Sequence, residues 1–334
     1  MRALAAFAVL WGHAGFAQIP AAKSVWLIGS AGAIGVDVFF VVSGFVLAML
    51  AERSASGVQF AKDRFQRILP LYLLVSICML PFEPVSLERL WNSLLFVPIL
   101  DLDHYSAPIH WFGWTIGLEL WFYAVMAASL LTGRLTQLKT AAVLVAFTSL
   151  TISLEAPPMW LRYLGNPMCL EFLGGILAWH LHSRLPRSVA ALSMSFGVAL
   201  LVPTAVVHAR LGLHEGVLTD MNLALRRVFL WGGPAWLTLL GATAWERSSS
   251  SGWTNMLTRM GDASYSLYLL QPPLLMLLRA FVPTNSGFSA LAFILLMPCL
   301  ALGSRRFLEL PIQRYFRSRG ARDSLHKPQA NQLL

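Results

Sequence analysis

The sequence contains little charge and few cysteines. Only 12% of its 334 residues are charged and 57% are hydrophobic, a balance that excludes an ordinary soluble domain and is typical of integral membrane proteins. The three cysteines lie in apolar stretches and show no CxxC spacing: Cys78, Cys169 and Cys299. We interpret them as small buried hydrophobic residues rather than disulfide partners or metal ligands.

The sequence also lacks any polar stretch long enough to form a large soluble domain between its apolar runs. Apolar runs of about 15 to 22 residues recur, near the roughly 20 that cross a bilayer, and they show no strand-like alternation. Because only helices satisfy the backbone in such runs, the sequence predicts an all-α, polytopic membrane bundle of about ten transmembrane helices. The predicted spans are 2–18, 33–51, 68–82, 111–132, 140–154, 167–183, 188–208, 225–245, 264–282 and 287–309.

Two further segments are assigned by length and polarity. The apolar stretch at 90–100 is too short to span and is predicted to be interfacial or re-entrant. Residues 1–316 are predicted to form one membrane domain, and residues 317–334 a polar cytoplasmic tail.

The distribution of basic residues predicts the orientation of the bundle. With Arg2 in the cytoplasm, the inner side carries 18 basic residues. The outer side carries seven: Lys23, Arg89, Arg162, Arg210, Arg226, Arg227 and Arg279. This asymmetry predicts that both termini are cytoplasmic. The net charge of +9 is therefore attributed to basic residues that set the membrane topology and contact lipid, and not to a nucleic-acid site.

The first apolar stretch has an alternative interpretation. Arg2, the apolar core and the GFA before Gln18 imitate a cleaved signal peptide. Gly12 and His13 interrupt that core, however, and cleavage would leave an odd number of spans. We therefore interpret this stretch as the first transmembrane helix.

His13 is the first candidate functional residue, because a histidine inside a span is costly unless it has a partner. It follows Arg2 by eleven residues, about three helical turns or roughly 16 Å along the same face. The alternative is a histidine that only hydrogen-bonds between packed helices. HxH at His180 and His182 is not interpreted as a metal site, and no metal is predicted.

Two carboxylates are predicted at similar depths in the membrane. Asp37 lies one turn inside the second span, where a helix N-terminus would also favour it as a simple cap-like charge. Glu119 lies roughly 12 Å inside the fourth span and shares a face with Thr115 and Tyr123. A carboxylate at that depth points to a function.

Arg64 and Arg67 are three residues apart in KDRFQRILPLYLL, a segment predicted as the loop before the third span. They are either cytoplasmic anchors or a clamp for phosphate groups, for which guanidinium pairs are well suited. Spacing alone does not decide between the two.

Six segments together resemble one family. In order, RALAAFAVLWGH, GVDVFFVVSGF, RFQRILPLYLL, GWTIGLELWFY, MGDASYSLYLLQPP and LELP resemble the integral-membrane acyltransferase 3 family from Arg2 to about Pro311. GWT, NPMCLEFLGGILAW and GDASYSLYL are most similar to its branch associated with exopolysaccharide production.

The resemblance implies a bacterial inner-membrane enzyme that moves an acyl group, commonly acetyl, from cytoplasmic acyl-CoA to a glycan hydroxyl. The acceptor would be a polysaccharide or a lipid-linked glycan. By position in the motifs, His13 would be the catalytic base, with Glu119 or Asp37 as the carboxylate that orients it. Arg64 and Arg67, with Arg2, would bind the donor.

The late motifs place three further residues in less defined roles: Tyr265, Tyr268 and Glu309. Gln271 stands where histidine is common, and glutamine cannot titrate. We expect this departure to affect the acceptor site more than His13. Little precedes Arg2, so Met1 is interpreted as a truncated or misassigned start.

Three alternatives stay open on the residues alone. The acyl group could move by direct attack on the thioester or through an acylated residue such as Ser43, for which helix packing is the competing interpretation. Buried polar groups also suit a transporter of a glycan or lipid-linked sugar. A catalytically inactive scaffold is the third.

Overall fold

The computed structural model describes residues 1–14, 31–101, 104–210, 216–246, 254–281 and 287–316. Within these ranges the regular structure is helical and no strand is present, which confirms the all-α prediction. The α-helices are α1 (Arg2–Ala14), α2 (Ile34–Arg53), α3 (Gly57–Met79), α4 (Leu87–Leu95), α5 (Gly113–Leu131), α6 (Thr136–Ser153), α7 (Met159–Leu164), α8 (Cys169–Leu181), α9 (Arg187–Arg210), α10 (Met221–Arg227), α11 (Gly233–Glu246), α12 (Thr254–Asp262), α13 (Ser264–Leu269), α14 (Gln271–Phe281) and α15 (Gly287–Ser304).

Five helical segments of the described chain are long and apolar enough to cross a membrane, so the chain is an integral membrane protein. They are Ala31–Arg53, Gly57–Phe82, Gly113–Leu131, Arg187–Val207 and Ser289–Phe316. The total of about ten spans remains a prediction. The predicted tail at 317–334 lies outside the described residues.

One predicted span differs from the helices that form, and the short segment predicted not to span agrees with them. The span predicted at 264–282 is divided into α13 and α14. The interruption has a covalent cause, because Pro272 and Pro273 have no backbone N–H to continue the hydrogen-bond ladder. At 90–100, by contrast, α4 has only nine residues and ends at Phe96, whose φ is 60°. It is too short to span.

The start of the third predicted span was wrong. α3 begins at Gly57, where the Ser56 side chain accepts a hydrogen bond from the Gln59 backbone N–H at 3.1 Å. Ser56 and Gln59 have the spacing of a capping box, a signal present in the sequence. Arg64 and Arg67 therefore lie within a helix that continues through Pro70, rather than in the loop before it.

Glycines allow α2 and α8 to pack with their backbones in contact. A Cβ added at Gly44 would lie 2.0 Å from the Phe172 carbonyl oxygen, and one at Gly175 would lie 2.1 Å from the Val41 carbonyl oxygen. Small residues at such crossings are the usual way for membrane helices to approach closely. This crossing holds α2, which carries Asp37 and Ser43, against the rest of the bundle.

We expect Gly175→Ala to destabilise the protein by about 1–3 kcal/mol, because the new methyl group would force the backbones of α2 and α8 apart. The measurement is the thermal midpoint of the purified protein in detergent. Gly174→Ala is the matched control, since its Cβ would meet only Trp236 Cδ1 at 3.4 Å. Equal midpoints for the two variants would contradict close packing at Gly175.

Candidate active site

His13 lies near the end of α1 and contacts two residues from distant parts of the chain. Its Nδ1 is 2.6 Å from Oε1 of Gln271, the first residue of α14. Its ring stacks on Phe112, with ring centroids 4.1 Å apart and an interplanar angle of 15°. The imidazole is therefore held both at its edge and on its face.

The hydrogen bonds of Gln271 assign the tautomer of His13. The Gln271 Nε2 amide donates to the Leu267 carbonyl oxygen at 3.1 Å, which fixes the orientation of the side-chain amide. Oε1 can only accept, so Nδ1 of His13 carries the proton. In the neutral ring the lone pair is then on Nε2, the nitrogen that can act as a base.

The expectation for Gln271 needs correction. This residue touches His13, so the departure from histidine affects the candidate base directly. Sequence analysis had offered Glu119 or Asp37 as the group that orients His13. In the structure an amide 258 residues away along the chain holds that nitrogen, and the motif offered no signal for this pairing.

Glu119 lies near the other end of α1, beside Arg2. Its Oε1 accepts hydrogen bonds from Ser43 at 2.9 Å and from the Tyr123 hydroxyl at 2.5 Å. Arg2 interacts electrostatically with Glu119, Tyr123 and Arg67. The structure thus joins the predicted acidic residue of α5 to the predicted donor-binding arginines.

Two cavities adjoin this group of charges. One, of about 50 Å³, is lined by residues that include Arg2, Ser43, Glu119, Tyr265 and Tyr268. The other, of about 240 Å³, is lined by Asp63, Arg64, Gln66, Arg67 and Gln313. Arg64 also interacts electrostatically with Glu119 and Tyr123, so the lining residues of the two cavities are electrostatically linked.

Aromatic rings connect the first cavity to His13. Tyr268 lines the cavity, and its hydroxyl is hydrogen-bonded to Thr115 Oγ1 at 2.7 Å. The Tyr268 ring packs on Phe112 with centroids 5.2 Å apart, and Phe112 also contacts the stacked ring of His13. Phe112 therefore lies between the cavity and the candidate base.

The late-motif residues join helices around these cavities. The Tyr265 hydroxyl donates to the Ile68 carbonyl oxygen at 2.7 Å, which links α13 to α3. Glu309 is buried and accepts hydrogen bonds from Ser266 at 2.9 Å and from Gln313 at 3.1 Å. The bonds from Tyr265 to Ile68 and from Ser266 to Glu309 thus connect separate helical segments.

Asp37 forms a buried ion pair that sequence analysis did not identify. Both of its oxygens accept from Arg227, at 2.9 Å from Nε and 2.8 Å from Nη2, and Nη2 also donates to the Ala33 carbonyl oxygen. Arg227 and Asp37 are only 2% and 0% exposed. Arg227 had been counted among the outer basic residues, and nothing in its spacing indicated a partner 190 residues away.

Glu171 adds a second carboxyl group beside this ion pair. It is buried, and it interacts electrostatically with both Asp37 and Arg227. Its carboxyl group packs against Gly232, where a Cβ would lie only 2.7 Å from Oε1. One guanidinium thus lies beside two carboxyl groups. Because Asp37 holds Arg227, it is more than a simple cap-like charge.

No set of three or more His, Cys, Asp or Glu side chains in the described part of the chain could hold a metal ion. His180, for example, is hydrogen-bonded to Gln137 through Nε2.

The comparisons with known proteins identify the family. The acyltransferase domain of the acyltransferase 3 family matches residues 1–304 of the chain. The chain belongs to this family. The chain is similar to the exopolysaccharide production protein ExoZ of Rhizobium meliloti (strain 1021). The two are 32% identical over 257 residues, which cover 71% of this chain and 75% of ExoZ. No solved structure matches the chain.

The resemblance drawn from the six segments is thereby confirmed. The match covers the first five of the six segments, which lie on α1, α2, α3, α5 and α12–α14. The sixth, LELP, follows the matched residues. The catalytic and donor-binding roles of His13, Glu119, Asp37, Arg2, Arg64 and Arg67 stay predictions.

We expect Arg227→Met to lower stability more than Asp37→Asn. Removing one partner of a buried ion pair costs about 3–5 kcal/mol. Loss of Arg227 leaves two neighbouring carboxyl groups without their cation, whereas loss of the Asp37 charge leaves Arg227 beside Glu171. The thermal midpoint in detergent measures this, with the exposed neighbour Arg226→Met as control. A larger loss for Asp37→Asn would contradict a shared cation.

Proposed function

We propose that the protein transfers an acyl group, acetyl in the simplest case, from cytoplasmic acyl-CoA to a hydroxyl of an exported or cell-surface polysaccharide. The observation that carries the proposal is the pair of groups at the two ends of α1. His13 is held as a base by Gln271 and Phe112, and Arg2 lies with Glu119 near Arg67. Family membership favours acyl transfer over the transport alternative, and the likeness to ExoZ favours a polysaccharide acceptor.

The proposed reaction needs one base. Nε2 of His13 removes the proton of the acceptor hydroxyl as its oxygen attacks the thioester carbonyl carbon. The tetrahedral intermediate then collapses, the carbon–sulfur bond breaks, and the CoA thiolate takes the proton from Nε2. A positioned base of this kind contributes about 10² to 10⁴ in rate. Gln271 stabilises the imidazolium by accepting from Nδ1–H in the role a carboxylate has in a triad.

Donor binding is assigned to the charged end of the site. Arg64 and Arg67 would hold the phosphates of CoA in the cavity of about 240 Å³ that they line. The pantetheine arm would then run past Arg2 and Glu119 toward His13, which is roughly 16 Å further along α1. Glu119 is proposed to orient Arg2 rather than His13. The bilayer in question would be the bacterial inner membrane, with both termini and the arginines cytoplasmic.

Ser43 is the candidate for an acyl relay, and its contacts favour a different role. Its hydroxyl donates to Glu119 at 2.9 Å, in a hydrogen bond that positions the carboxylate. We therefore propose direct transfer from the thioester to the acceptor.

We expect His13→Gln to abolish acyl transfer, because glutamine keeps a polar side chain but cannot accept and return the proton. Membranes are incubated with acetyl-CoA labelled in the acetyl group and with the host's exported polysaccharide, and label in the polysaccharide is measured. His104→Gln, at an exposed histidine, is the matched control. Full labelling by His13→Gln would rule out His13 as the base. No labelling by the wild type would count against this donor and acceptor.

We expect Arg64→Gln and Arg67→Gln each to raise the KM for acetyl-CoA about tenfold or more, with a smaller change in kcat. The reason is the loss of a charge-assisted hydrogen bond worth about 1.5–3 kcal/mol. Initial rates over a range of acetyl-CoA concentrations measure the change. Arg134→Gln removes an exposed arginine elsewhere and is the control. An unchanged KM in the Arg64/Arg67 double variant would exclude the phosphate clamp.

A further inference from the structure

The break between α13 and α14 leaves one buried carbonyl without a helical donor. In an α-helix the carbonyl of Leu269 would accept from the N–H of residue 273, and in a tighter turn from that of residue 272. Both positions are proline, which has no N–H. Leu269 is fully buried, so water does not supply the bond, and an unpaired buried carbonyl is costly.

His110 supplies the missing donor. Its Nε2 lies 2.8 Å from the Leu269 carbonyl oxygen, 159 residues away along the chain. The ring is completely buried. Because a carbonyl oxygen can only accept, Nε2 carries the proton. Burial lowers the pKa of His110 to about 4, so the ring is neutral near pH 7 and acts as a donor with one fixed tautomer.

This bond joins the two segments that hold His13. Two residues after His110 comes Phe112, which stacks on His13, and the turn between them is closed by the Gly113 N–H on the His110 carbonyl oxygen at 2.7 Å. Two residues after Leu269 comes Gln271, which is hydrogen-bonded to His13. His110 therefore links the stacking partner of the base to its hydrogen-bonding partner.

We propose that His110 is a positioning residue for the acyltransferase reaction. Its hydrogen bond connects the Phe112 segment to the Gln271 segment and so holds His13 in its catalytic orientation. The inference rests on the proposed function for its kinetic part. His110 does not exchange a proton with the substrate; its contribution is one donated hydrogen bond.

The test compares His110→Phe, which keeps a ring but has no donor, with His110→Gln, whose amide can donate in place of Nε2. We expect His110→Phe to lower kcat roughly ten- to a hundredfold, the size of effect that a small misplacement of a reacting group produces. The KM for acetyl-CoA should not change, since the arginines lie at the other end of α1. His110→Gln should retain kcat within about threefold.

Two comparisons separate positioning from a general loss of folding. His104→Phe, at an exposed histidine of the same segment, should leave kcat unchanged. Combining His110→Phe with Gln271→Ala should lower kcat no further than the more harmful single change, because both act through His13. A multiplicative loss in the double variant, a full kcat in His110→Phe, or an inactive but folded His110→Gln would each overturn the proposal.

A second readout does not depend on the substrate. In protein labelled with ¹⁵N-histidine, the NMR signal of His13, assigned by its absence in His13→Gln, should report an Nδ1–H tautomer in the wild type. In His110→Phe it should report a tautomer mixture. If the two tautomer results are as expected but the wild type transfers no acyl group, the proposed function is refuted and the positioning role of His110 stands. An unchanged His13 tautomer in His110→Phe would refute the positioning role.

Discussion

The arrangement of the site depends on one buried ion pair, between Asp37 and Arg227. Charges taken out of water persist only when they are paired and hydrogen-bonded. This pair, with the bond from Arg227 to the Ala33 carbonyl oxygen, fixes the start of α2. α1 packs directly on that start, since a Cβ at Gly32 would lie 2.2 Å from the Ala8 carbonyl oxygen. The position of α1 in turn sets both Arg2 and His13.

Sequence reasoning was strongest where the information is local. Apolar length predicted a helical membrane protein, and the separation of Arg2 and His13 follows from the rise of a helix. The start of α3 was also encoded locally, in Ser56 and Gln59, but the predicted span began at residue 68 and left this signal unused. A proline inside a helix is an ambiguous signal when neighbouring helices compensate for its missing N–H.

Sequence reasoning failed where a partner lies far along the chain. No periodicity connects His13 with Gln271 or Asp37 with Arg227. These pairs depend on how helices pack, and packing is decided by glycine crossings and by buried polar groups that must find one another. The two prolines after Gln271 did carry information, because they have no backbone N–H. Carbonyl groups in the preceding turn therefore need hydrogen-bond donors from another part of the chain. Identifying His110 as that donor required the fold.

Phe112 has a consequence for the membrane as a barrier. If the donor comes from the cytoplasm and the acceptor is exported, as proposed, a continuous polar route between them would leak protons and ions. The rings of His13, Phe112 and Tyr268 contact one another in that order and place apolar surface between the charged cavity and the candidate base. The same rings would keep water from the thioester. In the proposed reaction, these aromatic contacts would therefore protect both the ion gradient across the bilayer and the acyl donor.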